Sequence, residues 1–316
     1  MGKFGGIERR NHGWGKRVAW AGRQVLIDRF GGGHFGSVQS HAERWRLFDN
    51  WLKTQGIRDM RKVDRDLVER YAAYLRTQDL AAPTVQNRIS TVNVVMRHAR
   101  EGRWECVSPR ALAGAARSQV RQEAPVSLDR HTYGQARDSL REAGLDRAAA
   151  ALALAREFGV RSKEATLADL TRWAKEAERY GKINVQEGTK GGRGAPRWVP
   201  VTEEGRKALA FALKVRPPGS ERRNLIAPGE NYAIWLHGEL REGRDRLHEF
   251  GLRGYHDARA GYACERYKQM TGREAPVVAG RRTAGKDADR QARQVIAHEL
   301  GHGRTDVTVA YLGSSR

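Results

Sequence analysis

Arg161, Lys190, His256, Arg259, His302 and Tyr311 are spread over 151 positions, and their side chains suit one kind of chemistry. Together they can hold a phosphodiester and attack it. His256-Asp-Ala-Arg259 is an HxxR pair; 43 residues after Arg259 comes His302 in Leu300-Gly301-His302, and Tyr311 lies nine residues further on. Attack on a phosphodiester builds charge on the non-bridging oxygens, and it needs an activated nucleophile and a proton for the leaving oxygen. A guanidinium meets the first need, because its planar fork donates to two phosphate oxygens and never deprotonates. Losing one such donor typically costs about 3–4 kcal/mol of barrier. A phenol suits the second role. With a pKa near 10 it is about one part in a thousand ionised at neutral pH, a cost of roughly 4 kcal/mol that nearby Arg and His charges offset. Its phosphate ester would store the energy of the broken strand, so the transfer would be reversible. This chemistry needs no metal and no nucleotide cofactor. Taken singly, each residue has a plainer reading: a surface charge for Arg161, a solvated turn for Lys190, a core histidine for His256, a packing aromatic for Tyr311. Their order in one basic chain favours the chemical reading.

The chain has 316 residues, enough for two domains, with 58 Lys and Arg against 37 Asp and Glu and a formal charge of +21. The excess runs along the whole length. A diffuse positive surface attracts a polyanion and gains from counterion release, so nucleic acid is the expected partner. No run of 18 apolar residues occurs and the N-terminus lacks an apolar signal segment, so a cytoplasmic protein without a membrane span is expected. Cys106 and Cys264 have no CxxC neighbours, which argues against a disulfide framework or zinc ribbon; reduced, partly buried thiols are expected.

The elements that must position the six residues follow from periodicity. Residues 1–36 read as a flexible basic arm, with a short helix around Arg17–Phe30. Trp45, Phe48, Trp51 and Leu52 predict an amphipathic helix over 38–54, and Leu67, Val68, Tyr71 and Leu75 another over 65–77. A third opens at Pro83 and closes at Gly102, exposing Arg88, Arg97 and Arg100; a fourth covers 109–118. A small helical domain over 37–118 results, and a linker at 119–126 leads to a second domain over 127–316. There, Leu128–Ala143 reads as a helix. Arg147–Phe158 is apolar nearly all round and therefore a buried helix. Ser162 is a candidate cap for the short helix after Arg161. Ile183–Gln186 and Trp198–Val201 alternate like strands, with the Gly-rich loop that carries Lys190 between them. From Glu203 onward the pattern is mostly helical. On a helix, His256 and Arg259 share a face. The expected class is mostly α (α+β), with a small antiparallel sheet in the second domain.

The constellation resembles the tyrosine recombinases, which include phage integrases and Xer-type resolvases. The matching stretches are Phe158-Gly-Val-Arg161-Ser-Lys-Glu164-Ala, Thr189-Lys190-Gly-Gly-Arg with Val199-Pro-Val-Thr, His256-Asp-Ala-Arg259, and Leu300-Gly-His302 through Tyr311. Pro83-Thr84-Val85-Gln-Asn87-Arg88-Ile89-Ser90 is similar to the family's core-binding domain. The resemblance implies that Arg161 and Arg259 clamp the scissile phosphate, that His302 donates to it, and that Lys190 protonates the departing 5′ oxygen. It implies that His256 helps move the proton off Tyr311, the nucleophile of a 3′-phosphotyrosyl intermediate. The family uses no metal and no ATP. It also implies double-stranded DNA as partner, a homo-tetramer on two duplexes joined through a Holliday junction, and an accessory DNA-bending protein. Thr84, Asn87, Arg88, Arg281 and Arg282 are the expected DNA-contact residues. An integrase of a phage or genomic island fits best.

Two departures from the family pattern stand out. The stretch from Arg259 to His302 is about twenty residues longer than is usual for the family. The surplus, near 271–293, carries Arg273, Arg281, Arg282, Lys286, Arg290 and Arg293 and is expected to be an exposed insertion touching DNA or a neighbouring subunit. Only Leu-Gly-Ser-Ser-Arg follows Tyr311, where the family often has a tail docking on the next protomer. Three rival readings remain. His298-Glu299-Leu-Gly-His302 is a literal HExxH, which on a helix could place two imidazoles on zinc with Glu299 as base, as in a metalloprotease. Against it, no His or Glu lies downstream as a third ligand, and Gly301 and Gly303 weaken the helix. A DNA-binding protein of the same fold that does not cut is the second rival; type IB topoisomerases, with similar chemistry, are the third.

Overall fold

The computed structural model describes residues 9–114, 116–189 and 195–315. The chain divides after Ser118 into two compact units. The first is all helical: α1 (Val18–Phe30), α2 (Phe35–Thr54), α3 (Arg65–Arg76), α4 (Ala82–Ala99) and α5 (Pro109–Ala113), the last five residues shorter than the periodicity suggests. Asp64 caps α3 by accepting from the Leu67 amide, and Pro83 sits in the first turn of α4, where its missing N–H costs nothing. The core is aromatic. Trp45 and Phe48 are fully buried, and Phe48 meets Tyr71 at 4.8 Å.

One expectation changes here. Residues 9–30 are not a loose arm. Trp14, Val18, Ala21, Val25 and Leu26 are buried in the same core as α2 and α4. Trp45 Nε1 donates to the Val18 carbonyl at 2.9 Å, and buried Asn11 ties the chain to the amide of Met60. The basic residues of this stretch disguised its apolar stripe. Residues 1–8 lie outside the described residues. Arg100, expected on a solvated face, is half-buried and donates to the carbonyls of Arg61 and Val63. Cys106 is exposed, and Cys264 is buried.

The second unit comprises α6 (Arg130–Glu142), α7 (Asp146–Phe158), α8 (Ser162–Leu167), α9 (Leu170–Tyr180), β1 (Lys182–Asn184), β2 (Trp198–Pro200), α10 (Glu203–Val215), α11 (Tyr232–His237), α12 (Glu239–Glu249), α13 (Tyr255–Thr271), α14 (Pro276–Ala279), α15 (Lys286–Glu299) and α16 (Val309–Leu312). The fold is thus mostly helical with one small antiparallel sheet, in which Ile183 faces Val199. The alanine-rich α7 is buried along its whole inner length and packs against α10 and α13. Its small side chains let neighbouring helices approach closely. Gly159 ends it in the left-handed conformation, φ 60°, where an added Cβ would lie 2.4 Å from Tyr262. Arg161 itself, not Ser162, holds the cap position of α8. No helix among the described residues is long and apolar enough to cross a membrane.

Candidate active site

Three elements converge on Tyr311. The hydroxyl of Tyr311, on α16, accepts from Arg259 Nε at 3.2 Å and lies 3.2 Å from His302 Nε2. Arg259 comes from the first turns of α13. His302 follows Gly301, whose left-handed φ of 67° ends the α15 segment. The ring of His256, one turn before Arg259, lies 5.3 Å from the Tyr311 ring. The structure therefore gathers four of the six sequence-predicted residues in one cluster. Arg161, at the start of α8, joins it through Glu164.

Arg259 is fully buried. It donates to the carbonyls of Gly159 and Leu300, and its Nη2 lies 3.3 Å from His302 Nε2. These bonds tie the end of α7 to the turn before His302. They also fix the guanidinium rigidly beside the phenol. Glu164 is the second anchor. Its carboxylate accepts from the Arg161 amide at 2.7 Å and from Arg161 Nη1 at 2.6 Å. It also accepts two bonds from Arg197, at 2.9 and 3.1 Å, and lies 3.7 Å from Arg259. Although burial alone would raise its pKa, these cations hold it down to about 2.

Cations dominate the electrostatics. His302 is depressed to about 4, first by burial and then by the charges of Arg259, Arg161 and Arg197. His256 is also lowered to about 4, by desolvation and then by the charges of Arg259, Arg121 and Arg161. Its outer edge is open to solvent, which screens that effect. Both imidazoles are neutral at pH 7 in the absence of an anion. Beside the cluster lies an open cleft of about 910 Å³ lined by Arg161, Thr189, Arg197, His302 and Arg304 among others. His302 belongs to both; Arg259, His256 and Tyr311 do not line the cleft. Such a concave, cationic site can take a phosphate group beside a phenol. Lys190 lies outside the described residues, on the connection between β1 and β2.

The candidate DNA-contact residues are more scattered. Thr84, Asn87 and Arg88 are half-buried on the first two turns of α4. Arg281 is exposed and Arg282 half-buried, between α14 and α15. The segment 271–293 is not wholly a surface insertion. Arg273, Arg281, Lys286 and Arg290 are exposed, but Arg293 is buried, its charge taken up by Asp289 at 3.0 Å.

The zinc reading fails on geometry. The helix ends at Glu299, so His298 and His302 do not share a helical face. The Glu299 carboxylate is spent on Arg266 at 2.9 Å and on the Tyr262 hydroxyl at 2.8 Å. Among the described residues no group of three potential metal ligands occurs. Sequence reasoning missed the roles of Glu164 and Arg197. Glu164 had a signal, since an acidic side chain three residues past a helix start can reach back to the cap amide. Arg197 had none, because its partners lie 33 and 102 positions away.

Residues 115–265 match the family model described as "Integrase", and residues 36–102 match "Phage integrase, N-terminal SAM-like domain". Among solved structures, the chain is similar to a lambda integrase dimer bound to a COC′ core site (TM-score 0.57, 16% identity, covering 94% of this chain and 95% of that one). It is similar to the Tn1549 transposon integrase in complex with transposon right end DNA (TM-score 0.57, 13% identity, 93% of this chain and 95% of that one). A lambda integrase tetramer bound to a Holliday junction matches with a TM-score of 0.56 and 15% identity, over 93% of this chain and 75% of that one. No curated protein matches the chain. With both of its units matched by integrase models, the chain belongs to the tyrosine recombinase (integrase) family.

Proposed function

We propose that this protein is a site-specific recombinase that cuts and rejoins DNA through a 3′-phosphotyrosyl intermediate on Tyr311. One observation carries the reading: the Tyr311 hydroxyl sits 3.2 Å from both Arg259 Nε and His302 Nε2. A guanidinium and an imidazole at hydrogen-bond distance hold the phenolic oxygen in place for attack. Arg161 and His302, which line the cleft, face the non-bridging oxygens of a scissile phosphate there, and Arg259 acts from beside the Tyr311 hydroxyl. The Tyr311 oxygen then forms the new P–O bond as the bond to the 5′ oxygen breaks. The phenolic proton leaves by way of His256, and Lys190 supplies the proton for the 5′ hydroxyl. Rejoining is the reverse, with a 5′ hydroxyl displacing Tyr311. Every proton and electron pair is supplied by these side chains, so neither metal nor nucleotide is required.

Double-stranded DNA is the partner that the charge of +21 supports. Two of the similar solved structures are named as a dimer on a core site and a tetramer on a Holliday junction, which supports a tetramer on paired duplexes here. One family model is described as that of phage integrases and one similar structure is named a transposon integrase, and an origin in a phage or genomic island fits them. An accessory DNA-bending protein belongs to the same reading. The test is incubation with nicked DNA carrying a candidate attachment site, in EDTA. The expected product is a denaturant-stable protein–DNA adduct that Tyr311→Phe abolishes. An adduct that persists in Tyr311→Phe, or that EDTA prevents, overturns the proposal.

A further inference from the structure

The carrier of Tyr311 is a single helical turn, α16, and so short a helix is not stable alone. Something must hold it. Leu312 is fully buried, and the Val309 carbonyl accepts from the Arg121 amide at 2.9 Å. Cys264 Sγ donates to the Tyr311 carbonyl at 3.6 Å, and a further anchor is Arg293 of α15. Its Nε donates to both carboxylate oxygens of Asp289 at 3.0 Å, which orients the fork. Its Nη1 then reaches Thr308 Oγ1 at 3.2 Å and the Gly313 carbonyl at 3.3 Å, and its Nη2 reaches the Ser314 carbonyl at 3.2 Å. Arg293 thus grips the chain on both sides of Tyr311. Asp289 also accepts from the Tyr267 hydroxyl at 2.8 Å, and Tyr267 stands on α13, the helix that carries Arg259. The grip is therefore referenced to the guanidinium beside the phenol. Gly313 closes the same contact from the other side: its φ is 77°, and an added Cβ would lie 2.8 Å from the Val277 amide nitrogen of α14.

We infer that Arg293 is a positioning residue for the reaction, holding α16 so that Tyr311 is presented to Arg259 and His302 of its own chain. The segment 271–293 then acts in part as an internal brace for the nucleophile. This inference rests on the proposed role of Tyr311. A point charge cannot replace the fork: a lysine at this position keeps the pair with Asp289 but cannot serve three further acceptors at once. Misplacing a nucleophile by about 1 Å can cost about 100-fold in rate.

The experiment compares the wild-type protein with Arg293→Lys and Arg293→Ala on a nicked DNA half-site. Three readouts are taken: non-covalent affinity, single-turnover adduct formation, and hydrogen exchange of the Val309–Gly313 amides. The expected result is unchanged affinity, adduct formation slowed about 100-fold in Arg293→Ala and less in Arg293→Lys, and faster exchange confined to that segment. Wild-type rates together with wild-type exchange in Arg293→Lys overturn the inference. So does a rate loss matched by an equal loss of affinity, which would mark a general structural role. Should the wild-type protein form no adduct, the recombinase reading fails on its own; the exchange data still decide whether Arg293 braces α16.

Discussion

Arg197 and Glu164 form a two-point ion pair inside the protein, with both carboxylate oxygens of Glu164 engaged. The same carboxylate fixes Arg161, and Arg197 Nε donates to the Glu299 carbonyl at 2.9 Å. One buried pair therefore joins the start of α8, the approach to β2 and the turn before His302.

Removing either partner should damage stability and site together. Glu164→Gln leaves Arg197 buried without its counter-charge, and breaking such a pair costs about 3–5 kcal/mol. Denaturant unfolding checks this; wild-type stability in Glu164→Gln would contradict it. The pH dependence has a definite sign. Glu164 is held at about 2 in the folded state against 4.5 ordinarily. Its contribution is fully present above about pH 4.5 and is lost as pH falls from there towards 2.

His302 should produce a second slope with another window. Its folded pKa of about 4 lies below the ordinary 6.5, so the unfolded chain binds the extra proton between those values. Stability should fall as pH drops from 6.5 to 4, by about 1 kcal/mol per pH unit at most, and level off below. A phosphate in the cleft favours the protonated imidazole, so half-site affinity should rise as pH falls across the same window. Titrations of wild-type and His302→Asn proteins separate this term from others. Equal pH slopes in the two would rule it out.

Gly22 tests the packing of the first unit. A Cβ at this position would lie 2.0 Å from Trp45 Nε1, which must stay in place to donate to Val18. Gly22→Ala should destabilise by about 2–3 kcal/mol. Thermal unfolding of the whole chain reads the effect; an unchanged transition would mean that α1 is not clamped onto α2.

The exposed Arg281 and half-buried Arg282 should contact DNA phosphates. Replacing both with alanine should lower the slope of log affinity against log salt by about 2. A slope equal to that of the wild-type chain would remove them from the interface.

Much of this protein was legible in its residues because the signals were local. Helical periods marked α2, α3, α4 and α7, and the alternation at Ile183 and Val199 marked the hairpin. The spacing of His256 and Arg259 placed both on one helix, and the order of Arg161, HxxR, His302 and Tyr311 identified the family. What the residues could not reveal was long-range pairing. Arg197 and Arg293 looked like two more members of a strongly basic surface. They are buried, because Arg197 finds the Glu164 carboxylate and the Glu299 carbonyl, and Arg293 the Asp289 carboxylate and two carbonyls, which only the folded chain supplies. HExxH read as a possible metal site until the helix was seen to stop at Glu299, with that carboxylate spent on Arg266 and Tyr262. The basic stretch before Gly31 likewise hid a core-facing stripe. Periodicity depends on neighbours three or four positions apart, and a sequence displays those. Burial of a charge depends on partners tens of positions away, and only tertiary structure brings them together.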